Sequence, residues 1–228
     1  MKNIIIHCGM HKTGTTAIQH FLMENNSILN KHNIDYYKGI HLPYNHVELH
    51  TSSLRPERMT PFKLSMPIDD YDEYRRKIEM SISTYLSETP FETCIFSAEG
   101  NSYIRYEDEM ARLLALFPGC HVTFVFCFRN KEDYFISYQK ELTKHNPPPT
   151  NDRNNFAYSG KDHWLLDYDS KKQFFIDAVG KDNVLFMDYD EAIARDGNVI
   201  PEFLRTIGIF DVFSGEPWGN YFHNKTVI

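Results

Sequence analysis

The stretch "NIIIHCGMHKTGTTAIQHFL", residues 3–22, decides the fold. It runs from a short apolar segment, NIIIHC (3–8), through a loop with two glycines, GMHKTGTT (9–16), into AIQHFL, which has the look of a helix. A loop of this kind between a strand and a helix usually holds a phosphate. The first N–H groups of the helix have no partner inside it, and the helix dipole favours negative charge at that end. The backbone amides of Thr13, Gly14, Thr15 and Thr16 are the expected donors.

Working outward, three more apolar runs, TCIFS (93–97), HVTFVFCF (121–128) and NVLFMDY (183–189), are short and nearly continuous. Strands with that composition are buried on both faces, as in a parallel sheet. Between them lie helical spacings: Tyr71, Tyr74, Ile78, Ile82 and Tyr85 within 68–87, and Met110, Leu113, Leu114 and Phe117 before a Pro-Gly stop. Strands alternating with helices predict an α/β three-layer sandwich with a mainly parallel central sheet and a nucleotide-kinase-like core. The chain of 228 residues suits one domain, 1–228, with irregular insertions at 39–67 and 144–160. The second contains KHNPPPTNDRNN (144–155), read as a surface loop or a lid. Open α/β sheets bind ligands beyond the carboxyl ends of their strands, where both insertions could gather.

Composition narrows the function. Apolar residues at 42% and charged residues at 24% are ordinary for a folded domain, and a net charge of −7 argues against a general nucleic-acid or anionic-membrane binder. Any anion must be bound locally. Cys8, Cys94, Cys120 and Cys127 form no C-x-x-C pair and read as reduced, mostly buried thiols. The longest apolar run is far too short for a membrane span, and a cytoplasmic protein is expected.

An ordinary nucleoside-triphosphate loop reads G-x-x-x-x-G-K-[ST]. Here Gly9 and Gly14 keep the spacing, but Thr15 stands where the lysine should be, and Lys12 lies inside the loop. A kinase also places a magnesium-holding carboxylate at the end of a neighbouring strand, whereas the strand at 121–128 ends in Arg129. Two separated cations, Lys12 and Arg129, imply a ligand with two separated phosphate-like groups and no metal.

These motifs carry a family resemblance. HKTGTT followed by a helix resembles the 5′-phosphosulfate loop of sulfotransferases that use 3′-phosphoadenosine 5′-phosphosulfate (PAPS), and FRNKEDYFISY resembles the same family's 3′-phosphate motif, with Ser137 eight positions after Arg129. VLFMDYDEA is similar to the family's late strand, which makes Tyr189 the adenine contact. The resemblance covers roughly residues 3–210. It implies a P-loop-like fold, PAPS as donor cosubstrate with adenosine 3′,5′-bisphosphate as product, and a hydroxyl acceptor. The loop variant is like that of the bacterial and carbohydrate-directed branches, so a carbohydrate acceptor is expected.

The resemblance also implies roles. Lys12 and the loop amides steady the leaving group, Thr15 and Thr16 add hydroxyls to the 5′-phosphate or cap the helix, and Arg129 with Ser137 anchors the 3′-phosphate. Glu99, in CIFSAEGNS, takes the place of the catalytic base by position; read alone it is a strand-end carboxylate, or a partner for Lys12 or Arg129. Asn224 and Lys225 are the candidate substitutes for a basic C-terminal motif. In HLPYNHVELH, His41, His46 and His50 read chiefly as surface histidines; His46 is the alternative base, and His46 with His50 a weak metal pair. Trp164 with Tyr36, Tyr37, Tyr44 and Tyr158 reads chiefly as packing, or as a sugar-stacking wall. Two other readings stay open: a small-molecule or nucleotide kinase, and a noncatalytic nucleotide-binding module.

Overall fold

The computed structural model describes residues 1–153, 155–213 and 221. In chain order the elements are β1 (Asn3–His7), α1 (Thr15–Glu24), α2 (Asn26–Lys31), β2 (Ile34–Tyr36), α3 (Val47–Ser53), α4 (Pro61–Ser65), α5 (Tyr71–Glu88), β3 (Thr93–Ser97), α6 (Glu107–Ala115), β4 (His121–Phe128), α7 (Lys131–His145), α8 (Tyr168–Val179), β5 (Val184–Asp188), α9 (Tyr189–Asp196) and α10 (Ile200–Thr206). A 3-10 turn at Glu99–Tyr103 directly follows β3.

The strands lie in the order β2-β3-β1-β4-β5, every neighbouring pair parallel. Placing β1 in the middle follows from its composition, since Ile4 and Ile6 point into one apolar layer and Ile5 packs against the other. Its neighbours alternate in step. Cys94, Phe96, Phe124, Phe126 and Phe128 join the first layer, and Ile95, Val125 and Cys127 the second. The first layer is closed by α3, α5, α6, α7 and α8, the second by α1, α2, α9 and α10. Each fully buried phenylalanine contributes roughly 1.5–3 kcal/mol relative to leaving it exposed. The α/β sandwich with a parallel central sheet expected from the sequence is therefore the fold. All four cysteines are free thiols, three of them buried.

The structure departs from the sequence reading in particular places. β2 has only three residues and pairs only with β3 as an edge, too short to leave a periodic signature. The segment 39–67 is not wholly irregular, because it contains α3 and α4. Pro61 starts α4 rather than breaking structure: Thr60 accepts the Lys63 N–H and proline occupies the first turn, where its missing N–H costs nothing. His46 and His50 are not surface residues; both are buried. Among the described residues no helix is long and apolar enough to cross a membrane.

The segment before α4 is held to the rest of the fold by a buried ion pair. Arg58 Nη1 lies 2.5 Å from Glu109 Oε2, and the Glu109 carboxylate, fully buried, also accepts the Arg55 and Arg105 backbone N–H groups. Arg58 Nη2 donates to the Tyr103 carbonyl at 2.9 Å, so the same guanidinium clamps the 3-10 turn after β3. Removing one partner of such a pair leaves an uncompensated charge in the interior, whereas replacing both is often nearly neutral. Arg58→Met is expected to cost about 3–5 kcal/mol in urea unfolding, and Arg58→Met combined with Glu109→Met to recover only part of that loss, because the Arg55 and Arg105 N–H groups then lose their acceptor.

Candidate functional site

The segments singled out from the sequence all leave the carboxyl edge of the sheet. The loop 9–16 follows β1, Glu99 follows β3, Arg129 follows β4 and Tyr189 follows β5. In an open α/β sheet this edge, where the strand order reverses around β1, is where ligands bind.

The loop itself is shaped by close approach. A Cβ on Gly9 would lie 2.3 Å from Thr15 Cγ2 and 2.7 Å from His7 Nε2. Gly14 has φ +76, and a Cβ there would meet Val199 Cγ1 at 2.6 Å. Lys12 also takes a left-handed conformation, φ 66, unusual for a residue with a side chain and frequent at functional loops. Thr13 is buried and turned inward: its hydroxyl donates to the Met10 carbonyl at 2.7 Å and its N–H to the same oxygen at 3.3 Å. Gly14 is the N-cap of α1 and supplies no side chain, so Thr15 and Thr16 are the first helical residues rather than caps. Thr15 donates instead to Glu99 Oε2 at 2.7 Å. Lys12 Nζ sits 2.6 Å from Glu141 Oε2 on α7, so its ion partner is not Glu99.

Arg129 and Ser137 are brought together as their spacing predicts, with Arg129 Nη1 donating to Ser137 Oγ at 3.3 Å. The guanidinium lies over the Tyr189 ring, 5.2 Å from its centroid, and that ring in turn borders Gly14. Asp190 Oδ1 is 3.8 Å from Arg129 Nε, and Oδ2 accepts the Asn130 N–H at 2.7 Å. Arg129 Nε is buried without a hydrogen-bond acceptor. A buried guanidinium donor left in that state suits a phosphate oxygen.

Glu99 borders a cavity of about 310 Å³, lined also by Leu42, Val47, His50, Phe62 and Glu141. Burial works to raise the Glu99 carboxyl, but the His11 charge and hydrogen bond, the Thr15 hydroxyl and Lys12 outweigh it and hold it at about 2. His11 Nδ1 lies 3.5 Å from Glu99 Oε2, and its Nε2 lies 2.7 Å from Tyr103 Oη. The sequence placed His11 beside Lys12 but gave no direction for its ring.

His46 is committed elsewhere. Its Nδ1 accepts the Ser97 N–H at 2.8 Å, its own N–H donates to the Ser97 carbonyl at 2.9 Å, and burial lowers it to about 3. It pins the end of β3, assisted by His7, whose Nδ1 lies 2.9 Å from Ser97 Oγ. His50 does border the cavity, packed so closely on Gly100 that a Cβ there would fall 2.3 Å from its ring. Among the described residues no three of His, Cys, Asp and Glu gather as metal ligands. Trp164 packs between Arg105 and Lys171, 4.7 and 4.5 Å from its ring. Asn224 and Lys225 lie outside the described residues.

Sequence reasoning missed Glu141, Asp190, Tyr103 and the orientation of His11. Each is fixed by a contact between residues far apart in the chain, including His11 and Asp190, which lie inside the quoted motifs.

No protein-family model matches the chain, and no curated protein matches it by sequence. Solved structures do. A sulfotransferase from Alicyclobacillus acidocaldarius is 17% identical with a TM-score of 0.54, over 92% of this chain and 81% of the other. The sulfotransferase domain from the curacin biosynthetic pathway is 11% identical with a TM-score of 0.51, over 98% of this chain and 79% of the other. At these identities the likeness is one of architecture, and the chain has the fold of those sulfotransferases.

Proposed function

We propose that this chain is a sulfotransferase that moves the sulfuryl group of PAPS to an acceptor hydroxyl. The observation that carries the reading is the arrangement at the sheet edge. Lys12 with the side-chain-free start of α1 and Arg129 with Ser137 form two anion sites on neighbouring strands, and Glu99 stands on the other side of β1. The position after β4 that would hold magnesium in a kinase carries the guanidinium instead.

The residues fit the donor. The amides at the start of α1 and Lys12 would hold the 5′-phosphosulfate, Arg129 and Ser137 the 3′-phosphate, and Tyr189 the adenine face. When bound, PAPS supplies a sulfuryl group on a good leaving group. In the transfer the acceptor oxygen attacks sulfur in line, the new O–S bond forms as the bridging S–O bond breaks, and negative charge grows on the bridging oxygen. Lys12 steadies that charge once it exchanges Glu141 for it. Glu99 receives the hydroxyl proton.

The acceptor enters the cavity beside Glu99. About 310 Å³ is at the small end of ligand cavities and suits one ring of an acceptor rather than a long stretch of polymer. A carbohydrate hydroxyl is the acceptor class we propose: Phe62 offers an apolar face for a sugar ring, while Asn45, His50 and Ser65 offer hydrogen-bonding groups.

Calorimetry without magnesium tests the donor site. Adenosine 3′,5′-bisphosphate is expected to bind and ATP to bind much more weakly, with Arg129→Ala weakening the bisphosphate by roughly 10- to 150-fold, the worth of hydrogen bonds to a charged group. A preference for ATP that emerges only with magnesium would overturn the reading in favour of a kinase. Glu99→Gln is expected to lower kcat by ~10² to 10⁴ with bisphosphate affinity little changed. Turnover unaffected by that substitution would remove Glu99 as the base, and bisphosphate binding with no transfer to any hydroxyl would leave a noncatalytic module.

A further inference from the structure

Two carboxylates border the cavity beside Glu99, Glu99 itself from the 3-10 turn and Glu141 from α7. Among the described residues lining it there is no lysine and no arginine. His50 adds no charge, because burial chiefly lowers it to about 3. His11 is raised from its ordinary value against burial, mainly by Glu99, and its Nδ1 lies 3.5 Å from Glu99 Oε2, so the charge it carries is matched there. The charge on Glu141 is balanced from outside the cavity walls.

Two lysines do so. Lys12 Nζ lies 2.6 Å from Glu141 Oε2, and Lys144 Nζ 3.3 Å from the same oxygen. Together they hold the carboxyl below its usual range although burial works to raise it. They are unequal partners. The Lys12 side chain is 24% exposed and Lys144 63%, and an ion pair with so exposed a lysine is worth little.

Lys12, the closer partner, is also the one with a second task. On the sulfotransferase reading it turns to the 5′-phosphosulfate, so Glu141 gives up its better partner as the site is readied for the acceptor. A carboxylate only 22% exposed then borders the cavity with its charge poorly balanced. The cost falls on acceptors that bring no cation, and most heavily on those that bring another anion.

We propose that Glu141 selects the acceptor: the hydroxyl to be sulfated belongs to an amino sugar, whose protonated amine takes the place of Lys12 at Glu141 while the hydroxyl meets Glu99. The inference rests on the sulfotransferase reading and narrows the carbohydrate class proposed with it. The amine keeps its protons and makes only N–H···O bonds, so the bonds formed and broken in the transfer are unchanged. A uronate or an already sulfated sugar would set a negative charge beside Glu99 and Glu141 and is rejected. The exchange at Glu141 also links the two ligands. Without the bisphosphate the amine must displace Lys12, and with it Lys12 is already engaged, so each ligand strengthens the other by the same factor.

Calorimetry on the whole protein tests this, with and without saturating adenosine 3′,5′-bisphosphate, in slightly acidic buffer that keeps the amines protonated. The probes are the methyl glycosides of glucosamine, galactosamine and mannosamine, the parent hexosides with hydroxyl in place of the amine, and the matching uronates. In the loaded protein at least one amino glycoside is expected to bind roughly tenfold or more tightly than its parent, the worth of a hydrogen bond to a charged group, and the uronates more weakly than either. That preference is expected to shrink without the bisphosphate and to vanish in Glu141→Gln. Should Glu141→Gln fail to fold, the wild-type comparison with and without bisphosphate decides alone. No amino glycoside binding more tightly than its parent, a preference equally strong without the bisphosphate, or one that survives Glu141→Gln would overturn the proposal. Absence of bisphosphate binding to wild type would instead sink the sulfotransferase reading, whatever the glycosides do.

Discussion

The site depends on a turn in which no side chain fits at two positions. Between His7 and Thr15 the chain must pass from the central strand into a helix, through space bounded by the His7 ring, the Thr15 methyl and Val199 at the start of α10. Gly9 and Gly14 meet that constraint, the second in a left-handed conformation that only glycine adopts without strain. Everything that follows takes its position from this turn. Thr15 reaches Glu99 after β3, and Tyr189 after β5 packs beside Gly14.

Charge on this edge is balanced locally, which matters in a chain of net charge −7. Lys12 has Glu141, and Arg129 has Asp190. Both acids stand on helices that begin at or continue from the strand ends, so each is positioned by the same scaffold as its cation. For an anionic ligand this makes binding an exchange of one negative partner for another rather than the capture of a bare cation. The cations stay solvated by carboxylates and are already aimed at the edge, which lowers the cost of ordering them. Of the two, Arg129 is the better prepared, because its Nε is buried without an acceptor.

What the sequence makes legible is what is local. The apolar runs at 3–8, 93–97, 121–128 and 183–189 carry enough consecutive buried residues to announce strands, and the loop 9–16 carries its own glycines. Arg129 and Ser137 are readable because one helix begins between them and sets their separation. By contrast, three residues of β2 have no period, and Pro61 looks like a breaker until Thr60 is seen capping α4. Histidines cannot be sorted by composition: His46 is fixed by Ser97, some fifty residues away, while His11 meets Tyr103, 92 residues away. Those directions exist only once distant segments meet.

The two halves of the site are consequently built by different means. The half proposed for the donor consists of strand ends and the N-terminal parts of α1, α7 and α9, so its geometry comes with the sheet. The cavity beside Glu99 is lined by residues of 42–65, which are held to the Glu99 turn by the buried Arg58–Glu109 pair, by Arg58 on the Tyr103 carbonyl and by His50 against Gly100. Side chains on that segment, such as Leu42 and Phe62, can change without touching the strand ends that hold Lys12 and Arg129. The clamp cannot change so freely, since Arg58 holds the turn that carries both Glu99 and Tyr103. On the proposed reading, acceptor choice is therefore separable from donor recognition, and Glu99 is tied to the segment that would select the acceptor.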